Sequence, residues 1–321
     1  MTNPTVLVLG TGAVGAWYGL YLQKARRASV HFLCRSDYAH LKEHGFKLQS
    51  ESHGNLDFEP AMLNLHASAD TLPIIDYVLV CTKTGANSQI INETLPQFVT
   101  EKTVIAMIQN GLDNEVEVQE RFPNNKVIGG IAYVCAARVS PGVVVHYDRG
   151  AICFAAHNEE HKVTPEVEQL VSLYEGSGLT VTSATHLRTV RFQKLIWNIV
   201  FNGLSVVQTA NTFEITHLDS GVEMAKRIGY EVVKVAKACD CDLEDSMVDN
   251  SVNGTKKMFP YKSSMLVDYE NKRPLELKYL HHALLRVAAE KGIDIPYTWM
   301  LTQLLEYFDQ RNRSLIPSQP C

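Results

Sequence analysis

The sequence predicts a doubly wound α/β domain over residues 1–185, followed by an all-α domain over residues 186–321. In the first part, short apolar runs of strand length alternate with helical stretches, as in a parallel sheet covered by helices on both faces. From residue 186 onward, long helical stretches follow one another without strand-like runs between them. The length of 321 residues agrees with this division, since a domain takes about 150 residues.

The predicted elements follow from these patterns in chain order. In the first domain, the strands are Thr5–Leu9, Ser29–Leu33, 76–82, 103–108, 127–134 and 142–146, and the helices are 16–24, 87–99 and 114–121. In the second domain, the helices are 186–208, 222–239, 246–259 and 276–291. The tail over 311–321 is polar, and we expect it to fray.

Composition and charge exclude several classes of protein. The apolar fraction of 45% and charged fraction of 20% are those of a globular chain rather than a disordered one. With 30 basic and 35 acidic residues, the net charge of −5 argues against general nucleic-acid binding. No apolar run approaches the roughly 18 residues of a membrane span. No basic residue precedes the first apolar run, which argues against a secretory signal.

The cysteines predict a reduced, cytoplasmic protein without a metal site. Seven cysteines are scattered along the chain, and several lie in apolar runs, as buried thiols do. The close pair Cys239-x-Cys241 has the wrong spacing for a zinc knuckle. The adjacent His281 and His282 point about 100° apart on a helix, which is poor for joint metal ligation.

A glycine-rich turn between the first strand and the first helix predicts a dinucleotide site. The turn consists of Gly10, Thr11, Gly12, Ala13, Val14 and Gly15. In this motif Gly10 permits the tight turn, Gly12 lets the backbone approach a pyrophosphate, and Gly15 lets helix and strand pack closely. The N–H groups at the helix start attract phosphates. The alternative is a glycine turn without a ligand.

The end of the second strand favours NADP(H) over NAD(H). An NAD site carries an acidic residue about 20 positions beyond the glycines, where it binds the ribose 2′-hydroxyl. Arg35 stands 20 positions after Gly15 here, and no acidic residue precedes Asp37. A guanidinium is a permanently charged, forked partner for a 2′-phosphate. The alternative is an ordinary surface arginine.

Polar residues at two further strand ends predict the nicotinamide side of the site. Lys83 follows the strand over 76–82, and Asn110 follows the strand over 103–108. Because ligands of such sheets bind at the carboxyl ends of the strands, we expect both beside the cofactor. Ordinary polar loops are the alternative.

One helix of the second domain carries a polar stripe through an apolar segment. Lys194, Asn198 and Asn202 recur at every fourth position, and large apolar residues fill nearly all the positions between them. Burying these groups without partners would cost several kcal/mol, so they need a polar cleft, a ligand or one another. A helix with a narrow wet face is the alternative.

Further polar residues lie downstream, in a predicted turn before a helix. They are Ser263, Ser264, Asp268, Arg273 and Glu276. A carboxylate among them could pair with Lys194, which burial would otherwise tend to deprotonate. Helix capping is the alternative.

Taken jointly, these motifs resemble the ketopantoate reductase family (2-dehydropantoate 2-reductases), nearly from end to end. The motif Ala136-Ala137-Arg138 before a turn belongs to the same pattern. The resemblance implies an N-terminal Rossmann domain and a helical domain of the 6-phosphogluconate dehydrogenase type. It also implies NADPH-dependent reduction of 2-dehydropantoate to (R)-pantoate, on the route to pantothenate and coenzyme A.

The resemblance further implies a role for each matching residue. Lys194 resembles the general acid, while Asn198, Asn202 and Ser264 resemble substrate contacts. Asn110, Lys83 and Ala137 resemble positions on the nicotinamide side, with Asn110 also reaching the substrate. Glu276 resembles a residue near both cofactor and lysine.

Four positions depart from the family pattern and leave the 2-oxo acid open. They are Gly203, Thr212, Tyr261 and His282. A related NADP-dependent reductase of another 2-oxo acid and a non-catalytic NADP(H)-binding sensor are therefore the alternatives. The expected partner is a small 2-oxo acid, with no nucleic acid and no membrane, and a homodimer is left open.

Overall fold

The computed structural model describes residues 3–159 and 161–313, and the chain divides into two compact units. The first unit contains the residues up to Asn110 together with Asn114–Leu187, and the second contains Gly111–Asp113 together with the chain from Arg188 onward. No helix among the described residues is long and apolar enough to cross a membrane.

The first unit is built on one mixed sheet of ten strands. The strands are β1 (Thr5–Leu9), β2 (Ser29–Leu33), β3 (Phe46–Ser50), β4 (Leu56–Phe58), β5 (Asn64–His66), β6 (Tyr77–Val80), β7 (Val104–Met107), β8 (Val127–Ser140), β9 (Val143–Ala156) and β10 (Val181–Ser183). Their order is β4-β3-β9-β8-β7-β6-β1-β2-β5, and β10 pairs with β9. The strands from β8 to β5 in this order are parallel, which confirms the predicted Rossmann class.

Helices occur in both units. The first unit contains α1 (Ala13–Ala25), α2 (Tyr38–His44), α3 (Asn87–Gln89), α4 (Asn114–Arg121) and α5 (Pro165–Ser172). The remaining helices are α6 (Leu187–Trp197), α7 (Gly203–Gln208), α8 (Thr212–Thr216), α9 (Asp219–Ala238), α10 (Ser246–Lys256), α11 (Ser264–Glu270), α12 (Ala283–Glu290) and α13 (Pro296–Asn312). No strand occurs in residues 188–313, so the second unit is all-α, as predicted.

The central strands are buried on both faces because helices cover the sheet from both sides. In β1, Val6 and Val8 belong to one apolar core, whereas Leu7 and Leu9 belong to another. Side chains alternate across a strand, so each core lies against one face of the sheet. A continuous apolar run is the pattern expected of such a strand.

The β8–β9 hairpin is much longer than predicted and bends over helix α1. Each strand has 14 residues, and three irregularities interrupt their pairing. Such bulges bend a strand and increase its twist. The indole of Trp17 donates to the carbonyl of Gly150 at 3.3 Å, and the hydroxyl of Tyr18 donates to the carbonyl of Ala151 at 2.8 Å. Helix α1 is therefore covered by the hairpin as well as by the sheet.

Three helices predicted as continuous contain a π-helical turn. The predicted helix over 186–208 is α6, a π turn over Asn198–Asn202, and α7. The helix predicted over 276–291 begins with a π turn over Lys278–His282 before α12. These two π turns of the second unit pack against each other. The predicted helix over 87–99 is also interrupted, since it passes through a π turn and ends in a 3₁₀ turn at Leu95–Gln97.

Candidate functional site

The glycine turn after β1 leaves open space above one of its three glycines. Gly10 has φ +102°, and a Cβ there would lie 2.9 Å from the backbone nitrogen of Thr82. A Cβ on Gly15 would lie 1.9 Å from the carbonyl oxygen of Gly10, so only glycine fits between turn and helix. A Cβ on Gly12 would meet nothing within 4 Å. This space is where the motif brings a pyrophosphate to the backbone.

The start of helix α1 is suited to an anion. Gly12 is its N-cap, with extended backbone and no side-chain cap. No acidic residue lies in the first turn, which begins with the half-buried Ala13 and Val14. The N–H groups of that turn and the positive end of the helix dipole are thus available to phosphate oxygens. The residues present fit the dinucleotide that the motif predicts.

The loop after β2 carries the residues predicted to choose between cofactors. Arg35 and Ser36 are exposed, and Thr11 of the glycine turn lies beside Cys34 at the end of β2. Burial raises the pKa of the Cys34 thiol to about 12, partly offset by its hydrogen bond with Thr11. The thiol therefore stays protonated at neutral pH and adds no charge to this loop.

The predicted nicotinamide-side residues lie where the strands end. Lys83 is exposed after β6, and Asn110 is half-buried after β7. The side-chain N–H group of Gln109 donates to the carbonyl of Thr82 at 2.9 Å and to Oδ1 of Asn87 at 2.7 Å, which ties the loops after β6 and β7 together. Ala137 is half-buried in β8, beyond the part of the strand that pairs with β7.

The polar stripe of the second unit runs from α6 into the π turn. Lys194 is half-buried in the last turn of α6, whereas Asn198 and Asn202 are 4% and 2% exposed. Among the described residues, the structure gives Oδ1 of Asn202 no hydrogen-bond partner. An unmade hydrogen bond at a buried acceptor costs about 1–3 kcal/mol, so this amide is suited to a ligand that donates. Single π turns of this kind are frequent at functional sites.

The segment predicted as a turn before a helix is itself partly helical, and this corrects the expectation. Ser264 is the exposed first residue of α11, and Ser263 caps the helix by accepting the N–H of Leu266 at 3.1 Å. Ser263 donates to Oγ of Ser205 at 2.5 Å, and Ser205 donates to the carbonyl of Asn202 at 3.0 Å. This chain of hydroxyls fixes Ser264 relative to the π turn.

The carboxylates near this segment differ in their surroundings. Asp268 is buried and accepts from Nε of Arg273 at 2.8 Å. Glu276 is half-buried and lies just before the second π turn. Pairing of a carboxylate with Lys194 stays a prediction.

The four departures from the family pattern are accommodated by neighbouring groups. The Thr212 hydroxyl accepts the N–H of Tyr261, and the N–H of Thr212 donates to the Tyr261 carbonyl, both at 3.0 Å. A Cβ on Gly203 would lie 2.6 Å from the side chain of Leu301, and His282 pairs with Glu306 at 2.6 Å. Thr212 is completely buried and engaged by backbone, so it is not available as a substrate contact.

Comparison with known proteins identifies the family of this chain. The family described as Ketopantoate reductase PanE/ApbA matches residues 6–159, and its C-terminal family matches residues 186–308. A 2-dehydropantoate 2-reductase from Nostoc sp. is 34% identical over 98% of either chain. The chain belongs to the ketopantoate reductase family. Members of this family are NADP-dependent oxidoreductases, and so is this chain.

Solved structures agree with this membership. The 2-dehydropantoate 2-reductase from Geobacter metallireducens superposes with a TM-score of 0.88 at 32% identity, over 94% of this chain and 99% of that one. Two structures share the fold at lower identity. One is D-mandelate dehydrogenase with NADH and anilino(oxo)acetate, at 20% identity and a TM-score of 0.84 over 96% of this chain. The other is a dimeric ketopantoate reductase from Staphylococcus aureus, at 18% identity and a TM-score of 0.78 over 96% of this chain.

Sequence reasoning assigned no role to several residues that shape this site. Ser205 and Ser263 fix the π turn, and Asp37 pairs with Arg138 beside Arg35. A sequence signal was available for Arg138 and Ser263, which both stand in motifs of the family resemblance. Pairings between residues 58 or 101 positions apart leave no periodic trace in a sequence.

Proposed function

We propose that this chain reduces 2-dehydropantoate to (R)-pantoate with NADPH, with Lys194 as general acid, in pantothenate and coenzyme A biosynthesis. The observation that carries the proposal is the polar stripe of the half-buried Lys194 and the buried Asn198 and Asn202 in an otherwise apolar helix. Such a stripe suits a small, polar, anionic substrate. The names of the relatives support the choice of 2-oxo acid.

In the proposed cofactor site, the glycine turn and the start of α1 hold the pyrophosphate, and Arg35 holds the 2′-phosphate. Lys83, Asn110, Ala137 and Glu276 are assigned to the nicotinamide side. When bound, NADPH supplies the hydride that reduces the ketone carbon to a secondary alcohol.

The side chains of the second unit supply the rest of the chemistry. The ammonium group of Lys194 donates a hydrogen bond to the ketone oxygen and then transfers a proton as negative charge develops there. Asn198 and Ser264 bind the carboxylate by donation. The unpartnered Oδ1 of Asn202 accepts the hydroxyl hydrogen of the substrate, which compensates this buried acceptor.

The first test is the role of Lys194. A general acid contributes about 10²- to 10⁴-fold to the rate, so Lys194→Ala should lose kcat by that factor while NADPH still binds. Lys257→Ala, at an exposed lysine of the same unit, is the matched control and should retain full activity. NADPH oxidation at 340 nm measures turnover, and nucleotide fluorescence measures binding. Activity of Lys194→Ala within a few fold of the unmodified protein would reject the assignment.

The second test concerns the substrate. With 3,3-dimethyl-2-oxobutanoate, which lacks the hydroxyl of 2-dehydropantoate, the buried amide of Asn202 would stay unpaired. An unpaired buried acceptor costs about 1–3 kcal/mol, so kcat/KM should fall by about 10- to 100-fold. Equal kcat/KM for the two acids would contradict the role of Asn202.

Another 2-oxo acid remains the second candidate, and one observation favours it. Tyr261 packs with its ring centroid 6.5 Å from that of Trp197, so aromatic groups lie near the buried stripe. A panel of 2-oxo acids of increasing bulk, assayed with NADPH, distinguishes the two. Bound NADPH that no 2-oxo acid oxidises would instead indicate a sensor.

The proposed setting is the cytoplasm, with a small 2-oxo acid as partner, no nucleic acid and a homodimer as the assembly to test. Six cysteines of the described residues are free: Cys34, Cys81, Cys135, Cys153, Cys239 and Cys241. Free, mostly buried thiols are typical of a reducing compartment. Sedimentation velocity measures the oligomeric state.

A further inference from the structure

The cofactor loop contains a carboxylate that would oppose a 2′-phosphate if it were unpaired. Asp37 lies two residues after Arg35 and is the N-cap of helix α2. In this neighbourhood an acidic side chain is the group that selects NAD(H), because it accepts the 2′-hydroxyl and repels a phosphate. The side chain of Asp37 is only 7% exposed. In a protein that prefers NADP(H), a positively charged group must therefore neutralise the Asp37 carboxylate.

The structure supplies that group from a distant part of the chain. Nη1 of Arg138 forms an ion pair with Oδ2 of Asp37. The hydroxyl of Ser36 donates to Oδ1 of the same carboxylate at 3.0 Å. Both carboxylate oxygens are thereby engaged, and the negative charge of Asp37 is paired with a guanidinium.

The bent hairpin explains why Arg138 reaches this loop. Arg138 lies near the end of β8, and the hairpin tip lies against α2 and the start of β3. The N–H of Lys47 donates to the carbonyl of Gly142 at 2.8 Å, and a Cβ on Gly142 would lie 3.1 Å from the side chain of Leu41. These contacts anchor the hairpin tip beside the loop that follows β2.

The guanidinium of Arg138 has further N–H donors beyond the one that contacts Asp37. Its side chain is 41% exposed, and it has five N–H donors, of which the recorded ion pair uses one. Together with the exposed Arg35, it gives the loop two positive charges against the single negative charge of Asp37. A doubly charged phosphate group is the anion that such a cluster favours.

We propose that Arg138 is a specificity-determining residue for the adenosine 2′-phosphate. It neutralises Asp37 and presents a second guanidinium beside Arg35. The inference rests on the proposed function, in that NADPH is the physiological cofactor. In this proposal, the preference for NADPH over NADH depends on Arg138, which lies about 100 residues after Arg35, the arginine predicted from the sequence.

The test measures binding without any 2-oxo acid. Dissociation constants for NADPH and NADH, and for the probes 2′,5′-ADP and ADP, are obtained by calorimetry for the unmodified protein and for Arg138→Gln, Arg138→Lys and Asp37→Asn. Arg27→Gln is the matched control, since Arg27 is similarly exposed, at 49%, and pairs with Glu175. It precedes β2, whereas Arg35 follows that strand.

We expect Arg138→Gln to raise the Kd for NADPH and 2′,5′-ADP by about 10- to 100-fold, the range of a lost hydrogen bond to a charged group. The Kd for NADH and ADP should stay within about twofold, because those ligands carry no 2′-phosphate. Arg138→Lys keeps the charge and should lose less. Asp37→Asn added to Arg138→Gln should recover part of the loss, since the exposed carboxylate is removed.

Three outcomes would overturn the inference. One is an NADPH-to-NADH ratio in Arg138→Gln equal to that of the Arg27→Gln control. Another is an equal rise in the Kd for NADPH and for NADH in Arg138→Gln, which would indicate only a structural role for Arg138. If Arg138→Gln does not fold, a ratio unchanged in both Arg138→Lys and Asp37→Asn would refute it as well. Failure of the proposed function is separate, since it appears as absent turnover of 2-dehydropantoate while these binding ratios hold.

Discussion

Substituting the three glycines of the turn one at a time separates cofactor contact from packing. At Gly12 the φ of −72° is available to any residue, and a new Cβ would meet nothing within 4 Å. Gly12→Ala should therefore change the free energy of unfolding by no more than about 1 kcal/mol. At Gly15 the same methyl group would lie 1.9 Å from a backbone oxygen, more than 1 Å inside a normal contact. Helix α1 would have to move away from the turn.

The expected magnitudes follow from these distances. Overpacking costs about 1–3 kcal/mol where side chains can yield, so the backbone clash of Gly15→Ala should cost about 3 kcal/mol or more. For a unit of this size, that corresponds to a fall in Tm of roughly 6–12 °C. Gly12→Ala should keep its Tm but raise the Kd for NADPH by about 10- to 100-fold, because the methyl group occupies the space above the helix N-terminus.

The assay combines thermal unfolding with fluorescence titration of NADPH. Unmodified protein and Gly54→Ala, in an exposed loop away from the turn, provide the two references. Gly54 has φ +75°, so its alanine variant reports backbone strain without a clash. If Gly12→Ala bound NADPH as tightly as the unmodified protein, the phosphates would not approach this glycine. If Gly15→Ala were as stable as the unmodified protein, the packing argument would fail.

Three further predictions concern the second unit. Burial lowers the pKa of His281 to about 3, so its contribution to the free energy of unfolding is fully present above pH 6.5 and is lost as the pH falls below that value. Between pH 7 and pH 5, the free energy of unfolding measured in urea should fall by about 2 kcal/mol more in the unmodified protein than in His281→Gln. Parallel pH profiles of the two proteins would contradict this. Glu231 accepts hydrogen bonds from two backbone N–H groups and from the Thr298 hydroxyl at the start of α13. Glu231→Ala should therefore lower the free energy of unfolding by about 2–4 kcal/mol, as measured by chemical denaturation. Asn211→Ala removes the capping box of α8 and should cost about 1 kcal/mol, with loss of amide protection confined to 212–216 if the cap acts locally.

The sequence predicts the core strands well because their signals are local. The strand over Thr5–Leu9, the glycine turn and the strand over Ser29–Leu33 lie where the pattern places them, since apolar runs and glycines determine them directly. The family and its fold also follow from the motifs. The π turn at Asn198–Asn202 leaves no such trace, because the chain keeps helical periodicity on either side of it.

Other elements escape prediction because their partners are distant or their runs are short. Strand β3 alternates buried and exposed residues over only five positions, and β4, β5 and β10 have three residues each. Helix α13 carries a mixed pattern, with exposed aromatic residues such as Trp299 and Tyr307. It includes Arg311 and Asn312 of the predicted frayed tail, and the part of that tail from residue 314 lies outside the described residues.

The hairpin that covers α1 has a consequence for how the protein is made. The indole of Trp17 bonds to a carbonyl 133 residues further along the chain. At about 5–20 residues per second, a ribosome needs roughly 7–27 s to add that length. During this interval one side of α1 has no native cover, and the platform of the nucleotide site is incomplete. Nascent chains arrested before Gly150 should therefore gain little protease resistance from NADPH, whereas chains extended past β9 should gain it.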